Sequence, residues 1–88
     1  MIAFEKLVET LVQLRRENKS FSTASSWCAV QGMTLIDYAY DWETYQKEGY
    51  GTVVISKSSG TTNYGNLLGI RAWKWGSKEY IINTIPLK

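Results

Sequence analysis

The succession of hydrophobic patterns along these 88 residues predicts an α+β domain, two or three N-terminal helices packed on a C-terminal three-stranded antiparallel β-meander. Three observations carry that expectation. Apolar residues recur at steps of three and four in the first half of the chain. They alternate after Gly51. Runs rich in glycine and small polar residues separate the segments. A chain of this length makes one domain, 1–88, divided into a helical part at 2–48 and a β-meander at 51–86.

The first element is an amphipathic helix over 2–17. Phe4, Leu7, Val8, Leu11 and Leu14 fall on one stripe that faces a core. Glu5 and Glu9 stand early in it and Arg15, Arg16 and Lys19 at its end, an order that complements the helix dipole. "FSTASSWCAVQG" predicts a second helix, with Ser22 or Thr23 as N-cap, Gly32 at C′, and Trp27, Cys28 and Gln31 on one face. "MTLIDYAYDWETYQKEGYG" predicts a third. Thr34 caps it, Asp37 completes an aspartate form of the capping box, Met33 staples onto Tyr38, and Gly49 and Gly51 end it. Its inner stripe is Leu35, Tyr38, Ala39, Trp42 and Tyr45.

"TVVISK" is a strand with Val53 and Ile55 on one face and Thr52, Val54 and Ser56 on the other. "SSGTTNYGN" reads as a polar loop, and "LLGIRAW" and "KEYIINTI" as two further strands joined at Gly76-Ser77. Glycine at the first central position suits a type II′ turn. Counting outward from that turn sets Trp75 opposite Lys78, Lys74 opposite Glu79, Trp73 opposite Tyr80, Ala72 opposite Ile81 and Arg71 opposite Ile82. One face then carries Leu68, Ile70, Ala72, Ile81 and Ile85 toward the helices, and the other carries Arg71, Trp73, Trp75, Lys78, Tyr80 and Ile82. Aromatic and basic side chains on the second face form either a contact surface or a patch sealed by a helix.

Composition narrows the chemistry. The chain has no histidine, which removes histidine-based nucleophilic catalysis, imidazole acid–base work and ordinary His/Cys zinc sites. The lone Cys28 cannot form an internal disulfide; with no secretory segment or membrane span in the sequence, it fits a cytoplasmic setting. Aromatic residues make up 14% of the chain, enough bulky surface to stabilise a short domain without staples. The net charge of +2 is too small to imply nucleic acid, but it is unevenly spread. Residues 33–50 hold four acids and Lys47, whereas residues 51–88 hold five cations and Glu79.

Three motif-like features resolve into ordinary structure. "GTTNYGN" has phosphate-loop glycine spacing, but Asn66 stands in place of the lysine and no hydroxyl residue follows. Asp37 and Asp41, one turn apart on the expected third helix with Glu43 and Glu48 nearby, lack a cleft for glycoside hydrolysis or magnesium. The second and third helices resemble a helix-turn-helix, yet the recognition helix would carry four carboxylates toward DNA, the wrong sign for phosphates.

These readings point to a non-enzymatic, macromolecule-binding protein with no cofactor and no metal. Another protein is the expected partner, and the mode of action an inhibitor or antagonist working by steric block, of phage-accessory or immunity type. The expected contacts are Asp37, Asp41 and Glu43 on the acidic segment and Arg71, Trp73, Trp75, Lys78 and Tyr80 on the hairpin. The rival reading is a single-stranded nucleic-acid or RNA-binding module that uses the aromatic hairpin with Arg71, Lys74 and Lys78.

Overall fold

The computed structural model describes residues 2–17, 21–40, 42–56, 61–62, 65–66 and 69–83. It is an α+β fold. Two helices, α1 (Phe4–Arg16) and α2 (Phe21–Val30), precede an antiparallel sheet of five strands in the order β1-β2-β3-β6-β7. Those strands are β1 (Thr34–Tyr38), β2 (Trp42–Lys47), β3 (Gly51–Ser56), β6 (Ile70–Lys74) and β7 (Ile82–Asn83). Between β3 and β6 the chain makes a separate small ladder of β4 (Thr61–Thr62) and β5 (Gly65–Asn66).

The stripe read from the sequence places α1. Phe4, Leu7, Val8 and Leu11 are buried with Ala24 and Cys28 of α2 against Tyr45, Val53, Ile55, Ile70 and Ala72 of the sheet. Each large aliphatic side chain sealed there contributes roughly 1.5–3 kcal/mol. Register puts Tyr45, Val53 and Ala72 in one row and Ile55 beside Ile70 in the next, so the helices cover one face of the sheet. The indole N–H of Trp27 donates to the Leu7 carbonyl at 3.2 Å, fixing α2 on α1.

Helix α2 ends as expected. Gly32 has φ +83°, its N–H donates to the Ala29 carbonyl at 2.9 Å, and the Met33 N–H donates to the Cys28 carbonyl at 3.1 Å. This is a Schellman motif, and the accompanying apolar contact falls to Met33 and Cys28, both in the core. The start differs: α2 begins at Phe21, so Ser22 and Thr23 lie inside its first turn and do not cap it.

The largest correction concerns residues 34–48. They form no third helix; β1 and β2 make a hairpin that adds the sheet's first two strands, so the three-stranded meander becomes a five-stranded sheet. The helix-turn-helix likeness, the Thr34–Asp37 capping box and the Met33–Tyr38 staple fall with that helix. Thr34, Ile36, Tyr38, Trp42, Thr44 and Tyr45 are β-branched or aromatic, types that favour a pleated surface. Pairing along the whole of β2 from Trp42↔Ser56 to Lys47↔Gly51 satisfies the backbone of β3 and carries Tyr45 into the core. Gly51 opens β3 beneath a ring: a Cβ there would lie 2.5 Å from Phe4 Cζ.

The second correction is register. Arg71 pairs with Asn83 and Ala72 with Ile82, one residue beyond the expected alignment. The turn is Lys74–Ser77, closed by the Ser77 N–H donating to the Lys74 carbonyl at 3.0 Å, with Gly76 as its third residue at φ +82°. A type II′ corner needs the positive φ one position earlier. A further turn follows, in which the Glu79 N–H donates to Ser77 Oγ at 3.1 Å, so the connection is longer than two residues. Because strand side chains alternate, the slip exchanges two isoleucines: Ile82 packs against the core and Ile81 is exposed. Leu68 and Ile85, expected on the aliphatic face, lie outside the described residues.

Two charged side chains make contacts the sequence did not suggest. Arg15 stands in the last turn of α1 as expected and is also buried, its guanidinium donating to the Ser56 carbonyl at 2.9 Å. Lys74 reaches Glu5 of α1 at 2.5 Å in place of Glu79.

Candidate functional site

Among the described residues, the β1–β2 hairpin holds five of the exposed large apolar or aromatic side chains. Every residue of β1 is exposed. Leu35, Ile36, Tyr38, Tyr40 and Trp42 stand 41%, 52%, 71%, 98% and 39% exposed. Topology explains this. Among the described residues β1 is the first strand of the sheet and pairs with β2 alone, and the helices pack over β3 and β6 further in. Its pairing runs Thr34↔Gln46, Leu35↔Tyr45, Asp37↔Thr44 and Tyr38↔Glu43, with an irregularity between Leu35 and Asp37 that makes Ile36 the extra residue of a bulge. The Ala39 N–H closes the tip by donating to the Trp42 carbonyl at 2.9 Å.

The acidic residues expected on one helical face are distributed differently. Asp37 is exposed on β1 and its partner across the ladder is Thr44. Glu43 is half-buried on β2, where the Tyr45 hydroxyl donates to it at 2.7 Å. That hydroxyl also shares a short hydrogen bond with Ser25 Oγ of α2. Burial raises the Tyr45 pKa, the Ser25 hydrogen bond lowers it and Glu43 raises it further. Glu43 therefore helps to position the α2–β2 packing. Asp41 lies outside the described residues.

The second group of candidates follows β6. Arg71 is exposed, Trp73 half-buried, and Trp75, Lys78 and Tyr80 exposed. Trp73 and Tyr80 meet edge-to-face, with ring centroids 5.1 Å apart and planes at 84°. Tyr80 precedes β7, so this contact comes from the connecting segment and not from a ladder pair. Lys74, by register with Gly51, lies on the helix side, where Glu5 takes it up.

Register ties one member of each group, Asp37 and Arg71, to one sheet face, whereas Glu43 falls on the helix side. Asp37, Thr44, Val54 and Arg71 are successive partners across β1, β2, β3 and β6. Three strand spacings separate the two ends by roughly 14 Å. Between them the face is small and polar. Gln46 Nε2 donates to Thr52 Oγ1 at 3.1 Å, and Thr52, flanked by Gln46 and Trp73, is buried. The fold thus sets Asp37 toward one side of this face and Arg71 toward the other.

Reactive chemistry is scarce. Cys28 is buried, and burial pushes its thiol up to about 12, which leaves almost no thiolate at neutral pH. Among the described residues no group of three His, Cys, Asp or Glu is arranged to hold a metal ion, and no helix is long and apolar enough to cross a membrane. The β4–β5 segment pairs Thr61 with Asn66 and Thr62 with Gly65, a turn-back, so no helix follows the phosphate-loop-like glycines.

Sequence reasoning missed Leu35, Ile36, Tyr38, Tyr40 and Trp42 as surface residues because it assigned Leu35, Tyr38 and Trp42 to a helix core. The signal was present in "IDYAYDWE", where bulky residues alternate with small or acidic ones. The sequence between Tyr38 and Trp42 has no glycine or asparagine of a common hairpin turn, which hid it. Comparison with protein-family models, curated proteins and solved structures returned no match.

Proposed function

We propose that this chain is a non-enzymatic protein-binding domain whose contact surface is the β1–β2 hairpin, and that it acts as an inhibitor or antagonist by occupying a partner's surface. One observation carries the reading: five apolar or aromatic side chains, Leu35 to Trp42, are exposed along one hairpin, Leu35 and Tyr38 on its helix-side face and Trp42 on the other. Exposed apolar surface concentrated in one element of a small protein suits an interaction site, and exposed tyrosine and tryptophan are favoured contact residues. A domain of 88 residues can block a site without chemistry of its own. A buried free Cys28 supports a reducing, cytoplasmic setting.

The nucleic-acid reading is weaker on this structure. Of its three cations Lys74 is held by Glu5, leaving Arg71 and Lys78, few for a phosphate-binding surface.

The experiment is site-specific photo-crosslinking in cells that produce the protein. A photoreactive phenylalanine analogue replaces Tyr40, and a control replaces exposed Ala29 on α2. The expected result is a discrete protein adduct from position 40 alone. Absence of an adduct, or an adduct sensitive to nuclease, overturns the reading.

A further inference from the structure

We infer that β1 takes up its partner by strand addition, and that the segment it accepts is extended and basic. This inference rests on the proposed protein-binding role and specifies how that role is performed.

A strand at the end of a sheet has one row of N–H and C=O groups with no ladder partner. In this fold β1 is such a strand over Thr34–Tyr38, and all five residues are exposed. The opposite end of the sheet, β7, is only Ile82–Asn83, a short template. Edge strands are commonly blunted by lysine or proline, and β1 has neither. Its devices are the charge of Asp37 and the bulge at the exposed Ile36.

Charge selects the occupant. Asp37 is the only charged residue of β1, and residues 33–50 as a whole carry four acids against Lys47. Pairing β1 with β1 of a second copy would bring two such acidic hairpins together, and like charges on adjacent strands are destabilising. A segment with lysine or arginine across from Asp37 reverses that sign. Apolar residues alternating with those cations would rest on Leu35, Ile36 and Tyr38, so main-chain pairing holds the segment and side chains select it.

The test uses the full chain, labelled for amide NMR, and three blocked heptapeptides: alternating lysine and valine, the same peptide N-methylated at alternate amides, and alternating glutamate and valine. With the lysine–valine peptide, saturable shifts are expected at residues 34–38, with slowed hydrogen exchange of β1 amides. At least tenfold weaker binding is expected for the N-methylated and glutamate peptides, and for Asp37→Lys protein with the lysine peptide. An unshifted β1 at millimolar lysine peptide overturns the inference, as do shifts confined to residues 71–80. Concentration-dependent shifts of residues 34–38 in the chain alone also overturn it, by assigning the edge to a second copy. The crosslinking outcome at Tyr40 separates the two claims. A protein adduct there, together with indifference to N-methylation, leaves the interface standing and removes strand addition.

Discussion

Two regions of this molecule have similar apolar content and opposite fates. In α1, β3 and β6 the large aliphatic residues Leu7, Leu11, Val53, Ile55 and Ile70 are wholly buried. In β1 and the tip that follows, Leu35, Ile36, Tyr38 and Tyr40 face outward. Hydrophobicity does not distinguish the two sets; place in the sheet does. Inner strands have a neighbour on both sides and helices above, whereas β1 has one neighbour and no helix cluster over it. The same residue types therefore stabilise the fold in one region and offer contact surface in the other.

Substitution in the covered region should have the largest effect. Leu11→Ala removes a wholly buried side chain and should cost about 2–5 kcal/mol in urea unfolding, enough to threaten a domain of this size. Gly51→Ala tests the close approach of β3 to α1. Its Cβ would lie 2.5 Å from the Phe4 ring, and the overpacking should cost about 1–3 kcal/mol by the same measurement. A neutral result would mean that the Phe4 ring moves freely, and the contrast between the regions would weaken.

At the border of the two regions, the Trp73–Tyr80 edge-to-face contact should give a coupling of roughly 0.5–1.5 kcal/mol in a double-mutant cycle with alanine. In the uncovered region, Ile36→Ser should change stability by less than about 0.5 kcal/mol while weakening partner capture at Tyr40. Loss of stability comparable to Leu11→Ala would show that Ile36 belongs to the core and would erase the comparison.

The smallest effect concerns the Glu5–Lys74 pair on the exposed rim of the core. The hydrogen bond from Lys74 holds the Glu5 carboxyl below the usual carboxylate range. A depressed carboxylate pKa adds stability above the unfolded value and loses it as pH falls through the folded one. The stability difference between wild type and Lys74→Met should therefore shrink on acidification, and NMR titration should show the Glu5 pKa rise in the variant. A pH-independent difference would show that Lys74 acts through packing alone.

Legibility followed the range of the interactions. The α1 stripe, the Gly32 cap and the shared face of Val53 and Ile55 in β3 could be read locally, because each depends on a residue's neighbours within a turn or a strand. The contacts expected on acidic Asp37 and Glu43 were named for a helix that does not form, and the exposed Ile36, Tyr38 and Tyr40 were left out. Both errors came from residues 34–48, where the pattern fitted either period and the turn residues gave no hint. Arg15 shows the same limit on a smaller scale: its place in the last turn of α1 was legible, while the Ser56 carbonyl it binds is 41 residues away.

By itself the sequence determined which helix faces must be hidden, where one strand lies and that histidine chemistry is absent. The tertiary structure decided that residues 34–38 and 42–47 are strands, that the first of them is an edge among the described strands, and that Ile82 and not Ile81 faces the core. The physical reason is that amphipathic pattern specifies what seeks burial, whereas strand identity and register are settled by pairing partners distant in the chain. Here the ladder from Trp42↔Ser56 to Lys47↔Gly51 settled the first of them.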